Sequence, residues 1–306
     1  MQNQTKGIVY AIVTAFFWGF LAIALKLASQ NIDPVTIVWF RFLVAFIMLA
    51  IWVLFKSPTS FGILLRPPLL LVFAALALSW NYMGYMLGIH YTTPSNAQLF
   101  IQSGPLILAT AGFIIFKEQL RKQQLLGYLV AIVGFSFFYR DQLSAFFETQ
   151  AHYKTGILLT FSGAVAWAIY AILQKQLVVN YSVDRLNLFL FALPTVLYLP
   201  FVDFSPLLHL HWKWWLLLLF LGANTFIAYT CMANALKYTE ANKVSIIVIL
   251  NPMITFAVMG ILTAMDVSWI QHERFSVVSI IGATIVFVGA ILVVAKSPHR
   301  KTQHKN

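Results

Sequence analysis

Polar side chains lie well inside long apolar stretches of this sequence, where an unpartnered polar or charged group costs free energy. Arg41 lies in one such stretch, and Gln98 and Gln102 have the i, i+4 spacing that places two side chains on one helix face. An arginine in an apolar span requires water, a partner or an anionic ligand. The pattern predicts a cavity in which Arg41 meets a carboxylate or phosphate group. The alternative is a structural arginine that pairs with Asp33 or with a helix C-terminus, or that extends to the outer interface.

The other candidate cavity residues also have polar or aromatic side chains within apolar stretches. The whole predicted set is Trp18, Arg41, Asn81, Tyr82, Tyr85, Gln98, Gln102, Trp167, Lys175, Asn224, Tyr229 and Asn251. The tryptophans supply flat apolar walls with an indole N–H, and the amides supply donors and acceptors. The alternative for each residue is packing or hydrogen bonding between helices, and for Lys175 it is extension to the nearby interface.

Two prolines, Pro105 and Pro252, lie in the middle of apolar stretches. Proline removes a backbone N–H and bends a helix, so a bend is predicted at each position. Such bends let helices rearrange around a central cavity, and the alternative is a fixed kink of purely architectural value.

The composition indicates which solvent surrounds the protein. The chain of 306 residues is 60% hydrophobic and 9% charged, whereas soluble domains carry about 25% charged residues. Lipid is therefore the expected main solvent. The net charge of +11 does not indicate nucleic-acid binding, because the basic residues lie in short links and form no continuous stripe. The single cysteine, Cys231, excludes a disulfide framework and a cysteine metal site, and no metal or cofactor is expected.

Ten apolar stretches have about the length that crosses a bilayer, and each must be helical because lipid offers no hydrogen bonds to the backbone. They cover residues 8–28, 34–55, 67–89, 94–116, 123–139, 155–179, 185–202, 212–236, 241–265 and 276–295. Most Lys and Arg residues fall on one side if the N-terminus is cytoplasmic. This bias predicts that both termini are cytoplasmic.

The second half of the chain repeats features of the first. Trp18, Lys26 and Pro105 recur as Trp167, Lys175 and Pro252, and Glu118, Gly127 and Gly134 recur as Glu273, Gly282 and Gly289. Each half has five spans, and this odd number inverts the second half in the membrane. The predicted fold is an all-α integral membrane protein with ten transmembrane helices. They form two inverted five-helix repeats, 1–149 and 150–306, the second with a basic C-terminal tail.

Two repeated features are predicted to be structural. Gly127 and Gly134 share a helix face, which favours close packing of spans five and ten with each other or with a second subunit. Glu118 and Glu273 lie at span ends beside basic residues such as Arg121, so capping and ion pairing are expected rather than proton transfer. All the acidic residues lie in links or at span ends, which favours facilitated diffusion or exchange over coupling through buried carboxylates.

At these residues the sequence resembles the drug/metabolite transporter superfamily, specifically its EamA family of ten-helix carriers. The resemblance extends from residue 7 to residue 295, although Leu190 stands where Arg41 would recur. It is carried by Tyr91-Thr92 through Pro105 to Glu118, by Gly127 with Gly134, and by Trp39-Phe40-Arg41-Phe42. The resemblance implies a carrier for small metabolites, often an exporter of amino acids or related compounds.

The expected function is therefore secondary transport of an amino acid or related small metabolite, with export as the expected direction, by alternating access through a central cavity between the repeats. The alternative is an importer or exchanger of a larger cofactor-like or nucleoside-containing metabolite. An enzyme is not expected, because the spans contain no nucleophile–base set or metal cluster. The expected partners are a small-molecule substrate and the lipid bilayer of the cell inner membrane, with no nucleic acid. The chain is expected to act as a monomer or homodimer.

Overall fold

The computed structural model describes residues 2–118, 122–140, 151–270 and 276–294, and all regular structure in these ranges is helical. Short helical turns at Pro58–Phe61, Gly62–Leu65, Leu199–Phe201 and Ser205–Leu208 join some of the longer helices. The longer helices are α1 (Gln2–Ala28), α2 (Pro34–Lys56), α3 (Leu69–Tyr91), α4 (Pro94–Ile101), α5 (Ser103–Ile114), α6 (Lys122–Phe138), α7 (Ala151–Leu177), α8 (Val183–Tyr198), α9 (Trp212–Tyr238), α10 (Ala241–Val248), α11 (Asn251–Ala264) and α12 (Val277–Val294).

Within the described ranges, eight helical segments are long and apolar enough to cross a membrane, and α6 and α12 are shorter apolar helices. Large apolar side chains cover the outside of the protein; Ile114, for example, is 72% exposed and Val277 is also 72% exposed. A water-soluble protein would bury such side chains, whereas lipid solvates them. The all-helical, membrane-embedded architecture expected from composition is confirmed.

Several helices begin where local sequence signals place them. Asp33 caps α2, because its side chain accepts a hydrogen bond from the backbone N–H of Thr36 at 2.9 Å, and Pro34 occupies the first turn. Thr93 caps α4 in the same way by accepting from the N–H of Asn96 at 3.3 Å. These caps satisfy N–H groups at helix ends, where no intrahelical acceptor is available.

Spans four and nine are each divided into two helices. The break between α4 and α5 falls at Gln102, and the break between α10 and α11 falls at 249–250. Pro105 and Pro252 follow these breaks by two or three residues, within the first turn of the second helix. Proline has no N–H for the carbonyl four residues earlier, and its ring clashes with that carbonyl. The structure thus interrupts both helices where bends were predicted.

A glycine seam joins α6 to α12. A Cβ atom on Gly282 would lie 2.3 Å from the backbone N of Phe138, and one on Gly127 would lie 2.7 Å from the carbonyl oxygen of Gly289. The two backbones approach so closely that only glycine fits at these positions. The sequence left open whether these glycines pack between spans five and ten or against a second subunit. In the structure, the glycines of spans five and ten pack against each other within one chain.

Candidate functional site

Most of the predicted cavity residues line one cavity among α1, α2, α3, α7, α9 and the two divided spans. The volume of this cavity is about 50 Å³, enough for a few water-sized groups. The predicted residues found in its wall are Trp18, Arg41, Asn81, Tyr82, Tyr85, Gln98, Gln102, Pro105, Trp167, Tyr229 and Asn251. Residues from both halves of the chain therefore meet at a single site.

Arg41 on α2 is the charged residue of the cavity wall. Its side chain is 2% exposed, its Nε donates a hydrogen bond to Thr225 Oγ1 at 3.2 Å, and its guanidinium carbon lies 4.2 Å from the centroid of the Tyr82 ring. No carboxylate among the described residues forms an ion pair with it. Asp33, the pairing partner considered above, caps α2 instead. The burial of Arg41 thus leaves its charge without a protein counter-charge in the described part of the chain.

Aromatic rings form a continuous wall beside Arg41. The centroids of Trp18 and Trp167 are 5.8 Å apart, and those of Trp18 and Tyr229 are 5.3 Å apart, both with edge-to-face geometry. The Tyr82 ring follows at 5.4 Å from Tyr229. Trp18 and Trp167, which occupy corresponding positions in the two halves of the sequence, thus contact each other in the cavity wall. This wall supplies apolar surface and ring faces that attract cations.

Amide side chains connect the first half of the chain to the second at the cavity. The Nε2 of Gln102 donates to Asn251 Oδ1 at 3.0 Å, which links the two helix breaks. The Nε2 of Gln98 donates to Thr255 Oγ1 at 3.2 Å, and that hydroxyl in turn donates to the carbonyl oxygen of Gly19 at 2.6 Å. These bonds hold α1, α4 and α11 together around the site.

Asn81 on α3 connects α7 and α9. Its Nδ2 donates to the carbonyl oxygen of Gly163 at 3.0 Å, and its Oδ1 accepts a hydrogen bond from the hydroxyl of Tyr229 at 3.3 Å. Tyr85, one turn along α3, is 8% exposed and completes this side of the wall. These contacts fix the orientation of the amide and phenol groups before any ligand enters.

Two predicted cavity residues lie elsewhere. Asn224 turns away from the cavity, because its Nδ2 donates to the carbonyl oxygen of Phe17 at 2.7 Å and joins α9 to α1. Lys175 lies at the end of α7, where its Nζ donates to the carbonyl oxygen of Thr239 at 2.9 Å. The assignment of these two side chains to the central cavity is therefore corrected. Both contribute to packing between helices.

Glu118 is the partner of Lys175. The Lys175 Nζ lies 3.3 Å from Glu118 Oε1, and the same carboxylate accepts from the N–H groups of Ala241 and Asn242 at 2.7 and 3.0 Å. Glu118 was expected to cap a helix and to form an ion pair at a span end. It forms the ion pair with Lys175 and caps α10, which is distant in sequence. Its expected neighbour Arg121 lies outside the described residues, as does the matched pair Glu273 and Arg274.

Four residues of the site were not singled out from the sequence, and one of them is Leu21, an apolar residue of α1 in the cavity wall. Thr225 accepts the Arg41 hydrogen bond, and Ile101 and Val248 lie in the cavity wall at the ends of α4 and α10. The prolines four residues after Ile101 and Val248 were the available signal, because each proline deprives the carbonyl four residues earlier of its usual donor. No comparable local signal marks Thr225, whose proximity to Arg41 depends on how α2 packs against α9.

Comparison with known families matches this chain over almost its whole length. The model described as "EamA-like transporter family" matches residues 5–140 and 154–295. An "Uncharacterized transporter" of Haemophilus influenzae is 28% identical over 306 residues, which cover 100% of this chain and 99% of the relative. The "Uncharacterized inner membrane transporter YhbE" of Escherichia coli strain K12 is 29% identical over 294 residues, covering 95% of this chain and 91% of the relative.

A solved structure, described only as "Crystal structure of protein", shares the fold. Its TM-score to this chain is 0.72 at 17% sequence identity, and the match covers 95% of this chain and 97% of the other. At this level of identity the likeness concerns the fold alone.

Proposed function

Since this chain belongs to the EamA-like transporter family, it is a membrane transporter rather than an enzyme, and we propose that its substrate is a small metabolite with an anionic group, an amino acid or related compound. The proposed route is the central cavity, opened alternately to each side of the membrane. The proposed direction is export. The halves 1–149 and 150–306 are proposed to act as inverted five-helix repeats that move relative to each other.

The single observation that carries this proposal is the buried Arg41 in the cavity wall. A cation within the membrane is costly unless it is paired or solvated, and such residues mark ligand pathways. The described lining contains no Asp or Glu that would neutralise Arg41. A substrate carboxylate supplies the missing charge and accepts hydrogen bonds from N–H groups of the guanidinium.

Matched lysines at the ends of α1 and α7 support the inverted-repeat mechanism. The Nζ of Lys26 donates to the carbonyl oxygens of Ile89 and Thr92 at 3.0 and 2.7 Å, just as Lys175 donates to Thr239 on the second half. In the proposed topology these two clusters lie at opposite ends of the protein. Equivalent contacts at both ends suit a carrier in which either end closes.

Counterflow into reconstituted vesicles tests the proposed function. Vesicles containing the purified protein are loaded with one unlabelled solute, and uptake of trace labelled solute is followed for a panel of amino acids, other organic anions and nucleoside-containing compounds. We expect accumulation for a small anionic or zwitterionic solute. Absence of counterflow for every solute would contradict the transport proposal.

Substitutions in the cavity wall are expected to lower transport without lowering the amount of protein in the membrane. Gln102→Ala removes the bond between the helix breaks and a polar group of the site, and about tenfold slower uptake is expected, equivalent to roughly 1.4 kcal/mol. Trp167→Phe keeps a ring but loses part of the wall and is expected to act in the same direction. Trp212→Phe, at a side chain 60% exposed on α9, is the matched control. Equal uptake by all three variants would exclude these cavity roles.

The proposed location is the inner membrane with both termini cytoplasmic. The segment beyond residue 294 lies outside the described residues, so this orientation rests on the basic residues of the sequence. A reporter that is active only in the periplasm, fused after Lys305, is expected to be silent. The same reporter inserted in the link after Phe204 is expected to be active, and the reverse pattern would refute the topology.

A further inference from the structure

We propose that the two helix breaks form a subsite for a substrate ammonium group, so that the transported molecule carries both an anion for Arg41 and a primary ammonium for the breaks. This inference rests on the proposed function and adds residues to its site. The subsite consists of the carbonyl oxygens of Ile101 and Val248, the side-chain oxygen of Gln102, and the adjacent aromatic faces.

The carbonyl oxygens at both breaks lack their usual donors. Ile101 ends α4 and Val248 ends α10, and both residues line the cavity. The residues four positions later are Pro105 and Pro252, which have no N–H to donate. Carbonyl groups point along a helix towards its C-terminal end, and that end carries a partial negative charge. Two such ends, one from each half of the chain, therefore meet the same cavity.

Gln102 adds an acceptor of its own. Its Nε2 donates a hydrogen bond to Asn251 Oδ1 at 3.0 Å. This bond fixes the orientation of the amide group, so that Oε1 remains as the free acceptor. Gln102 is 4% exposed, and its Oε1 has no hydrogen-bond partner among the described residues. A buried acceptor without a donor is destabilising, so a ligand N–H that reaches it gains the full benefit of the bond.

The surrounding charges indicate which cation fits. The rings of Trp18, Trp167 and Tyr229 lie in the wall of the same cavity, aromatic ring faces attract ammonium groups, and the described lining contains no carboxylate. A lone metal cation would meet the same carbonyl oxygens but would be repelled by Arg41 in the same cavity. A cation attached to an anion satisfies both ends of the site. This charge pattern favours the substrate ammonium over a free Na⁺ ion.

Ligand-induced thermal stabilisation of the purified full chain tests the subsite without relying on transport. The probes are glycine, threonine, leucine and phenylalanine, each compared with its N-acetyl derivative, which keeps the carboxylate and removes the ammonium charge. We expect at least one amino acid to raise the melting temperature and to bind at least about tenfold more tightly than its N-acetyl derivative, as expected when a charged hydrogen bond is lost.

The double variant Pro105→Ala/Pro252→Ala restores the two backbone N–H groups. These groups can then donate hydrogen bonds to the carbonyl oxygens of Ile101 and Val248. The variant is expected to lose the preference for the free ammonium, so that an amino acid and its N-acetyl derivative bind with similar affinity. Pro194→Ala, which makes the same change inside α8, is the matched control and is expected to retain the preference. If the double variant does not fold, Gln102→Leu tests the same preference through the side-chain acceptor alone.

Four results would overturn the subsite. They are equal binding of an amino acid and its N-acetyl derivative, no binding of any amino acid in the panel, an unchanged preference in the folded variants, and full stabilisation by NaCl alone relative to choline chloride. None of these results prevents counterflow of a solute into vesicles. Failure of the subsite is thereby distinguished from failure of the transport proposal.

Discussion

Arg41→Met is expected to lower substrate uptake about a hundredfold or more while leaving the folded protein at least as stable as before. The loss corresponds to roughly 3 kcal/mol or more, the contribution of two charge-assisted hydrogen bonds to a carboxylate. Counterflow in vesicles measures uptake, and the thermal unfolding midpoint in detergent measures stability. The stability result is the informative part, because it separates the two roles that the sequence left equally open for this residue.

The two roles of Arg41 predict opposite effects of the Arg41→Met substitution on stability. If Arg41 is held for the substrate, its burial without a counter-charge is a cost, and an apolar side chain of similar length removes that cost. If Arg41 is structural, losing the bond to Thr225 and the contact with Tyr82 lowers the unfolding midpoint. Arg41→Lys keeps the charge but lacks the planar fork, so partial transport is expected. Arg66→Met, at an exposed position in a link, is the control and is expected to change neither quantity. Full transport by Arg41→Met would exclude the site role.

Gly282→Leu is expected to give the largest loss of stability among the changes considered. A Cβ at this position meets the backbone N of Phe138 at 2.3 Å and the carbonyl oxygen of Gly134 at 2.7 Å. Backbone atoms cannot rotate away, so α6 and α12 must separate. Overpacking of this kind costs about 3 kcal/mol, and loss of the seam's close contacts adds to it. The expected readout is a clear fall in the unfolding midpoint and in the yield of folded protein.

The control for this prediction is Gly62→Leu. A Cβ on Gly62 has no atom within 4 Å, so the same substitution there is expected to be tolerated. If Gly282→Leu folds with wild-type stability, α6 and α12 do not pack through their glycines in the membrane. A smaller side chain at the same position, Gly282→Ala, is expected to give a smaller loss of the same sign.

Much of the fold was predictable because membrane insertion depends on local composition. Apolar runs of bilayer length give helices wherever they occur, and the caps at Asp33 and Thr93 mark where two of them begin. The breaks before Pro105 and Pro252 follow from the missing N–H of proline, which is also a local property. Most residues of the cavity wall were found in the same way, since polar side chains in apolar spans require a polar environment.

Hydropathy and backbone hydrogen bonding along short segments were enough to establish the solvent, the helical class and the polar residues that must be kept from lipid. Which distant residues meet became clear only from the packed helices. Their packing paired Lys175 with Glu118 instead of the cavity, turned Asn224 towards Phe17, and placed Arg41 beside Thr225. These outcomes depend on the packing and rotation of helices far apart in sequence, which no local pattern encodes.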